Sequence, residues 1–173
     1  QELPGAVLFA CTMNSVRSPM AAAILRHLAG RRAYVESAGV RAGGLDAFAV
    51  AAMEEIGIDI SRHAPRTLRD LHDTSFDLIV TLSPEAHHQA LELTRTMAVE
   101  VEYWPTFDAT MMIGHGSREQ VLQAYRDVQK KINPLLPKLF DVFPKADYEV
   151  REVEAFRAQS DAGASYQSPT PDG

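Results

Sequence analysis

Apolar and polar positions follow two rhythms along this chain. Ala6-Val7-Leu8-Phe9-Ala10 is an unbroken apolar run, short and without alternation. It predicts a strand buried on both faces, as in a parallel sheet. Asp77-Leu78-Ile79-Val80-Thr81-Leu82 repeats the pattern, and Val99-Glu100-Val101-Glu102-Tyr103 is a more alternating version of it. Tyr34-Val35-Glu36-Ser37 is a fourth, less apolar candidate. Between these runs the period lengthens. Met20, Ile24 and Leu28 recur four residues apart after Ser18-Pro19, with Ser18 placed as a cap and Pro19 in the first turn. Residues 46–57 carry Phe48, Ala51, Ala52 and Ile56 and close at Gly57. Residues 84–95 follow Ser83-Pro84, a cap and first-turn proline. Residues 117–132 set Val121, Tyr125, Val128 and Ile132 on one stripe, opened by the capping-box pattern Ser117-Arg118-Glu119-Gln120. Pro134 and Pro137 disturb a further helical stretch through Phe143.

Strands that alternate with helices imply βαβ units. The expected fold is α/β, a doubly wound, four-stranded parallel sheet with helices on both faces. The length, 173 residues, suits one domain, placed at residues 1–156. Residues 157–173 are small, polar and proline-containing and read as a disordered tail, in which Tyr166 carries little weight. No internal repeat is visible.

Composition narrows the partners. A net charge of −6 argues against nonspecific nucleic-acid binding and against attraction to an anionic membrane surface. No apolar run approaches the roughly 20 residues of a membrane span, and no signal peptide is visible. The single cysteine cannot form an internal disulfide, so a cytoplasmic setting is expected. The six histidines show no ligand spacing; His87 and His88 are adjacent on a helix and point about 100° apart. No metal and no cofactor is expected. Oligomeric state is not legible.

The chemistry gathers around that cysteine. Cys11 stands just past the first strand and before a helix, the place where ligands bind in open α/β sheets. A short loop that enters a helix N-terminus can turn its amide groups toward one centre and hold an anion. Thr12, Met13, Asn14, Ser15 and Val16 form that loop, and Arg17 adds a planar cationic fork suited to two phosphoryl oxygens. The same positive field favours thiolate over thiol at Cys11. Nucleophile and oxyanion cradle then share one loop, which suits attack on phosphorus through a phosphocysteine. A buried structural cysteine followed by a surface arginine would show the same bare spacing.

The stretch "CTMNSVRSPMA" resembles the active-site loop of the low-molecular-weight protein tyrosine phosphatases and of the related thioredoxin-coupled arsenate reductases. Asn14, Arg17, Ser18 and Pro19 match the family signature, and the likeness continues through "ESAGV", "GIDISRH", "FDLIVTLS" and "YWPTFDAT…GSREQVLQAYRDV". The resemblance implies a hydrolase, phosphotyrosine phosphatase I-like in fold, acting on a phosphorylated protein or a small aryl phosphate. It implies that Cys11 is the nucleophile and Arg17 grips the equatorial oxygens. Ser18 would hydrogen-bond the sulfur and Asn14 would hold the loop. Asp108 would be the acid that protonates the leaving oxygen and then activates water; a turn or capping aspartate is the plainer reading.

Several positions depart from that pattern. Met13 stands where the family has glycine, and would be strained if the site needs positive φ. Ala109 replaces the proline after the acid, which leaves the loop freer. Gly43 and Thr110-Met111 fall where relatives place aromatic pocket walls; Trp104 and Phe107 are possible substitutes or plain packing. Val16 replaces a second loop cysteine found in some relatives. Ser37, Arg41 and His63 lie in family-like stretches without an assigned role. Two alternatives stay open: a noncatalytic anion-binding relative weakened by Met13 and Ala109, and an arsenate reductase-like protein, which the cysteine count disfavours.

Overall fold

Four parallel strands form the centre of the computed structural model, which describes residues 5–71 and 75–139. They are β1 (Ala6–Cys11), β2 (Tyr34–Gly39), β3 (Leu78–Thr81) and β4 (Glu100–Tyr103), in the order β2-β1-β3-β4. All pairs are parallel, with Leu8 opposite Glu36 and Ile79, and Ile79 opposite Val101. All four patterned runs are strands. β1 is buried at every residue because it lies between two strands and under helices on both faces. β4, at the edge, exposes Glu100, Glu102 and Tyr103 and half-buries Val101.

The helices are α1 (Arg17–Ala29), α2 (Ala47–Glu54), α3 (Pro84–Leu93) and α4 (Arg118–Ile132). Odd residues of β1, Val7, Phe9 and Cys11, pack with α1, α2 and α4; even residues, Leu8 and Ala10, pack on the face of α3. The sheet is therefore wound on both sides, as the strand–helix alternation implies.

Caps decide where most of these helices begin. Ser83 accepts from Ala86 N at 3.3 Å, with Pro84 in the first turn of α3. Ser117 and Gln120 form a complete capping box on α4. Asp46 caps α2 by accepting from Phe48 N at 2.8 Å and Ala49 N at 3.2 Å. Its other oxygen accepts from the Tyr125 hydroxyl at 2.7 Å, which fastens α4 to α2. Burial and then the Asp46 carboxylate push the Tyr125 hydroxyl far above the ordinary phenol range, so it serves as a donor. Gly57, at φ 80°, ends the turn after α2.

Two expectations change here. α1 starts two residues early, at Arg17, and its cap position, Val16, offers no side-chain bond. Ser18 is thus not the cap; its hydroxyl is used elsewhere. After α4 the chain tightens into a 3-10 turn over Asn133–Lys138 that carries both prolines, not an α-helix. Phe143, the boundary at 156 and the tail with Tyr166 lie outside the described residues. Among the described residues, no helix is long and apolar enough to cross a membrane.

Candidate active site

β1 delivers Cys11 to the carboxyl edge of the sheet, beside Gly39 of β2. The loop that follows is held from outside by its carbonyls. Val40 N donates to Cys11 O at 3.1 Å, Arg41 N to Thr12 O at 2.8 Å and Gly43 N to Met13 O at 2.8 Å. His63 Nε2 donates to Asn14 O at 2.8 Å. A trans peptide sets each N–H opposite the preceding carbonyl. The amides of Thr12, Met13, Asn14 and Ser15 are therefore turned the other way. Amides turned together can cradle a tetrahedral anion. Gly39 permits this closeness. A Cβ there would sit 2.7 Å from Asn14 N and 2.9 Å from Met13 C, and would also collide with Arg41 O.

Asn14 is the hub of the loop. It has φ 54°, the only positive φ among the described non-glycine residues. Asparagine tolerates this left-handed conformation better than most residues. Its Oδ1 accepts from Arg66 N at 2.9 Å, and its Nδ2 donates to Ser18 Oγ at 2.9 Å. Ser18 Oγ in turn lies 2.9 Å from Cys11 Sγ and 3.3 Å from Ala38 O. Ser18 has one proton to give. When the sulfur is a thiolate, Ser18 can donate to it; when the sulfur is a thiol, that proton can go to Ala38 O. Asn14 fixes the hydroxyl oxygen in both cases.

Arg17 is buried in the first turn of α1, at 7% exposure. Its Nη1 donates to Thr106 O at 2.9 Å, and its Nη2 reaches Thr12 Oγ1 at 3.5 Å. Thr12 Oγ1 also donates to Ser83 Oγ at 3.0 Å, so the cap of α3 braces the same corner. The guanidinium is thereby oriented before any ligand arrives. Among the described residues, no group of three or more His, Cys, Asp or Glu could hold a metal ion.

Comparisons with known proteins identify the family. Residues 6–147 match the family described as low molecular weight phosphotyrosine protein phosphatase. The chain belongs to that family. It is 35% identical over 98 residues to arsenate reductase 1 of Staphylococcus epidermidis, spanning 57% of this chain and 73% of that one. The arsenate reductase of Shouchella clausii is 34% identical over 133 residues, 76% of this chain and 92% of the relative. Among solved structures, the low-molecular-weight protein tyrosine phosphatase of T. tengcongensis superposes with a TM-score of 0.62 at 26% identity, covering 80% of this chain and 99% of the other.

Set against its family's pattern, the chain's departures now have places. Met13 does not carry positive φ, so the strain expected there is absent. Asp108 lies between β4 and α4, half-buried. Its Oδ1 accepts from Thr110 N at 3.0 Å and Thr110 Oγ1 at 2.6 Å, capping a 3-10 turn over Ala109–Met112. The plain capping role is thus real, and it steadies a loop that lacks the family's proline. Ala109 is fully buried and anchors that turn. Trp104 is half-buried, and its ring packs 6.2 Å from Phe9 against the core. Phe107 is exposed.

Sequence reasoning left out several supporting residues. His63, Arg66, Thr106 and Ser83 all brace the loop, three of them through bonds that begin or end on backbone atoms. Burial holds the His63 imidazole below its ordinary range, while its bond to Asn14 works in the opposite direction. The stretch "GIDISRH" was family-like, and that was the one signal toward His63. Arg41 forms a surface pair with Glu85 at 3.1 Å, with both side chains exposed. His87 bonds Thr81 Oγ1 at 3.0 Å and stacks on Tyr103 at 4.5 Å.

Proposed function

We propose that this chain hydrolyses phosphomonoesters through a phosphocysteine. The observation that carries the reading is the bond path Asn14–Ser18–Cys11, with 2.9 Å at each step, at the mouth of a helix that begins with Arg17. A structural cysteine needs no hydroxyl aimed at its sulfur. A leaving thiolate does.

Thr12 to Val16 supply amides, and Arg17 a fork, for the phosphoryl oxygens. The Cys11 thiolate attacks phosphorus and the bond from phosphorus to the leaving oxygen breaks. Asp108, as the carboxylic acid, gives its proton to that oxygen. Asp108 then takes a proton from a water as it attacks phosphorus, and the S–P bond breaks. Ser18 donates to the sulfur as charge returns to it, which makes the thiolate a better leaving group. No metal or cofactor enters these steps. The expected substrate is a phosphorylated protein or a small aryl phosphate, encountered in a cytoplasmic setting.

The relatives named arsenate reductases favour a second reading, since arsenate is also a tetrahedral oxyanion. Reduction of arsenate to arsenite needs two electrons from thiols. This chain holds one cysteine, so a second thiol would have to come from another molecule.

Wild type and Cys11→Ser should be assayed on an aryl phosphate with a chelator present. The substitution should cost about 10⁴-fold or more. A wild type as inert as Cys11→Ser, with phosphate binding intact, would leave an anion-binding protein and end the hydrolase reading. Arsenite formed with a small thiol, without phosphate release from esters, would move the assignment to the reductase.

A further inference from the structure

The Cys11 loop hides itself except at one point. Of residues 11–18, Met13 alone is exposed, at 40%. Its side chain lies against Gly43, whose N–H it already engages through its own carbonyl. A Cβ built on Gly43 would stand 3.3 Å from both Cβ and Cε of Met13. The thioether arm therefore curls across the space that a side chain at position 43 would claim. The nearest obstacle to that Cβ is Ser15 Oγ at 2.6 Å, so glycine at 43 makes room for Ser15 first and for Met13 beside it.

Two other exposed apolar side chains lie in segments bonded to the Cys11 loop. Leu45, 41% exposed, is two residues past Gly43. Phe107, 50% exposed, follows Thr106, whose carbonyl receives Arg17 Nη1 at 2.9 Å. Three segments that bear on the anion site thus each offer one exposed apolar side chain.

We infer that Met13 is a specificity-determining residue: seated on Gly43, it forms an adaptable wall that selects phosphomonoesters with an apolar body, aliphatic and aromatic alike. This rests on the hydrolase reading above. The physical reason is the side chain itself. Methionine is unbranched, has three rotatable bonds and a polarizable sulfur, and fits a ring or an alkyl chain. A fixed aromatic wall would instead reward flat rings in stacked or edge-on geometry.

Phosphonates test this without turnover, because their C–P bond cannot be hydrolysed by this chemistry. Methyl-, hexyl- and benzylphosphonate would be titrated calorimetrically into wild type, Met13→Leu and Met13→Gly, with melting curves to show that each is folded. Wild type should bind the hexyl and benzyl compounds more tightly than the methyl one. Met13→Gly should shrink both preferences about twofold to tenfold. Met13→Leu, which keeps the bulk, should retain most of both. Unchanged ratios in Met13→Gly would overturn the inference, and so would a loss confined to benzylphosphonate. If wild type bound neither inorganic phosphate nor methylphosphonate, the hydrolase reading itself would fall, and the wall with it.

Discussion

The two loops that the proposed mechanism uses, one carrying Cys11 and the other Asp108, are built in opposite ways. Residues 11–18 are buried apart from Met13 and half-buried Thr12, and their bonds come from distant segments: β2, the stretch around His63 and Arg66, the cap of α3, and Thr106. Residues 107–116 are mostly exposed, and Asp108 is steadied by its own neighbour Thr110. The chain just before it is anchored, where Trp104 N donates to Thr81 O at 2.8 Å and Thr106 N to Leu82 O at 3.1 Å, and within it Ala109 is buried. The difference suits the two tasks proposed for them. A nucleophile flanked by an anion cradle gains from being held in one geometry. An acid that serves first the leaving oxygen and then a water gains from some freedom.

The largest effect on this comparison should come from Asp108→Asn. If the loop delivers an acid, the rate on esters with poor leaving groups falls about 10²-fold or more, and on good leaving groups far less. Asparagine can still accept from Thr110, so the cap survives. Kinetics on a series of aryl phosphates of graded leaving-group pKa would read this as a steeper dependence. An equal loss across the series would mean that Asp108 only shapes the loop.

A smaller effect is expected when the brace of the other loop is cut. Asn14→Ala removes the acceptor for Arg66 N and the donor to Ser18, and puts alanine at φ 54°. Asn14→Gly removes the same bonds and tolerates that φ. Both should lower kcat about tenfold, because Ser18 is no longer fixed beneath the sulfur. Alanine should also cost about 1–2 kcal/mol more stability than glycine, from the left-handed backbone. Chemical denaturation beside kcat separates the two terms. Full activity in Asn14→Gly would show that the cross-bracing is not what prepares the nucleophile.

Much of this was legible in the chain, and the gaps have physical causes. Buried parallel strands write unbroken apolar runs, so Ala6–Cys11 and Leu78–Thr81 were visible, and so was the stripe of Val121, Tyr125, Val128 and Ile132 on α4. Ser18-Pro19 misled because a serine before a proline is a cap signal in general; here the hydroxyl is drawn to Cys11 and the helix starts two residues sooner. That Trp104 packs on the core is seen only from the position of Phe9. The braces on Asn14 and Arg17 come from 49, 52 and 89 residues away. At Arg66 and Thr106 they use backbone atoms, which every residue has, so no side-chain pattern announces them.

The smallest effect tests one of those hidden braces. His63 donates from Nε2 to Asn14 O and is half-buried. Burial lowers its pKa in the folded chain below the ordinary value of 6.5, with Arg26 and Arg66 adding to the shift and Glu36 opposing it. The unfolded chain therefore takes up the proton first as pH falls. The stability held by neutral His63 is complete above pH 6.5 and is lost progressively below it, toward the folded pKa. His63→Gln keeps a donor of similar reach and does not titrate. Between pH 7.5 and 5.5, the melting temperature of wild type should fall more than that of His63→Gln, by no more than about 3 °C. Parallel falls would mean that no proton is linked to this brace. The effect is small for a structural reason: an imidazolium still carries the Nε2 proton, so protonation keeps the bond to Asn14 and adds only the cost of a charge in a half-buried place beside two arginines.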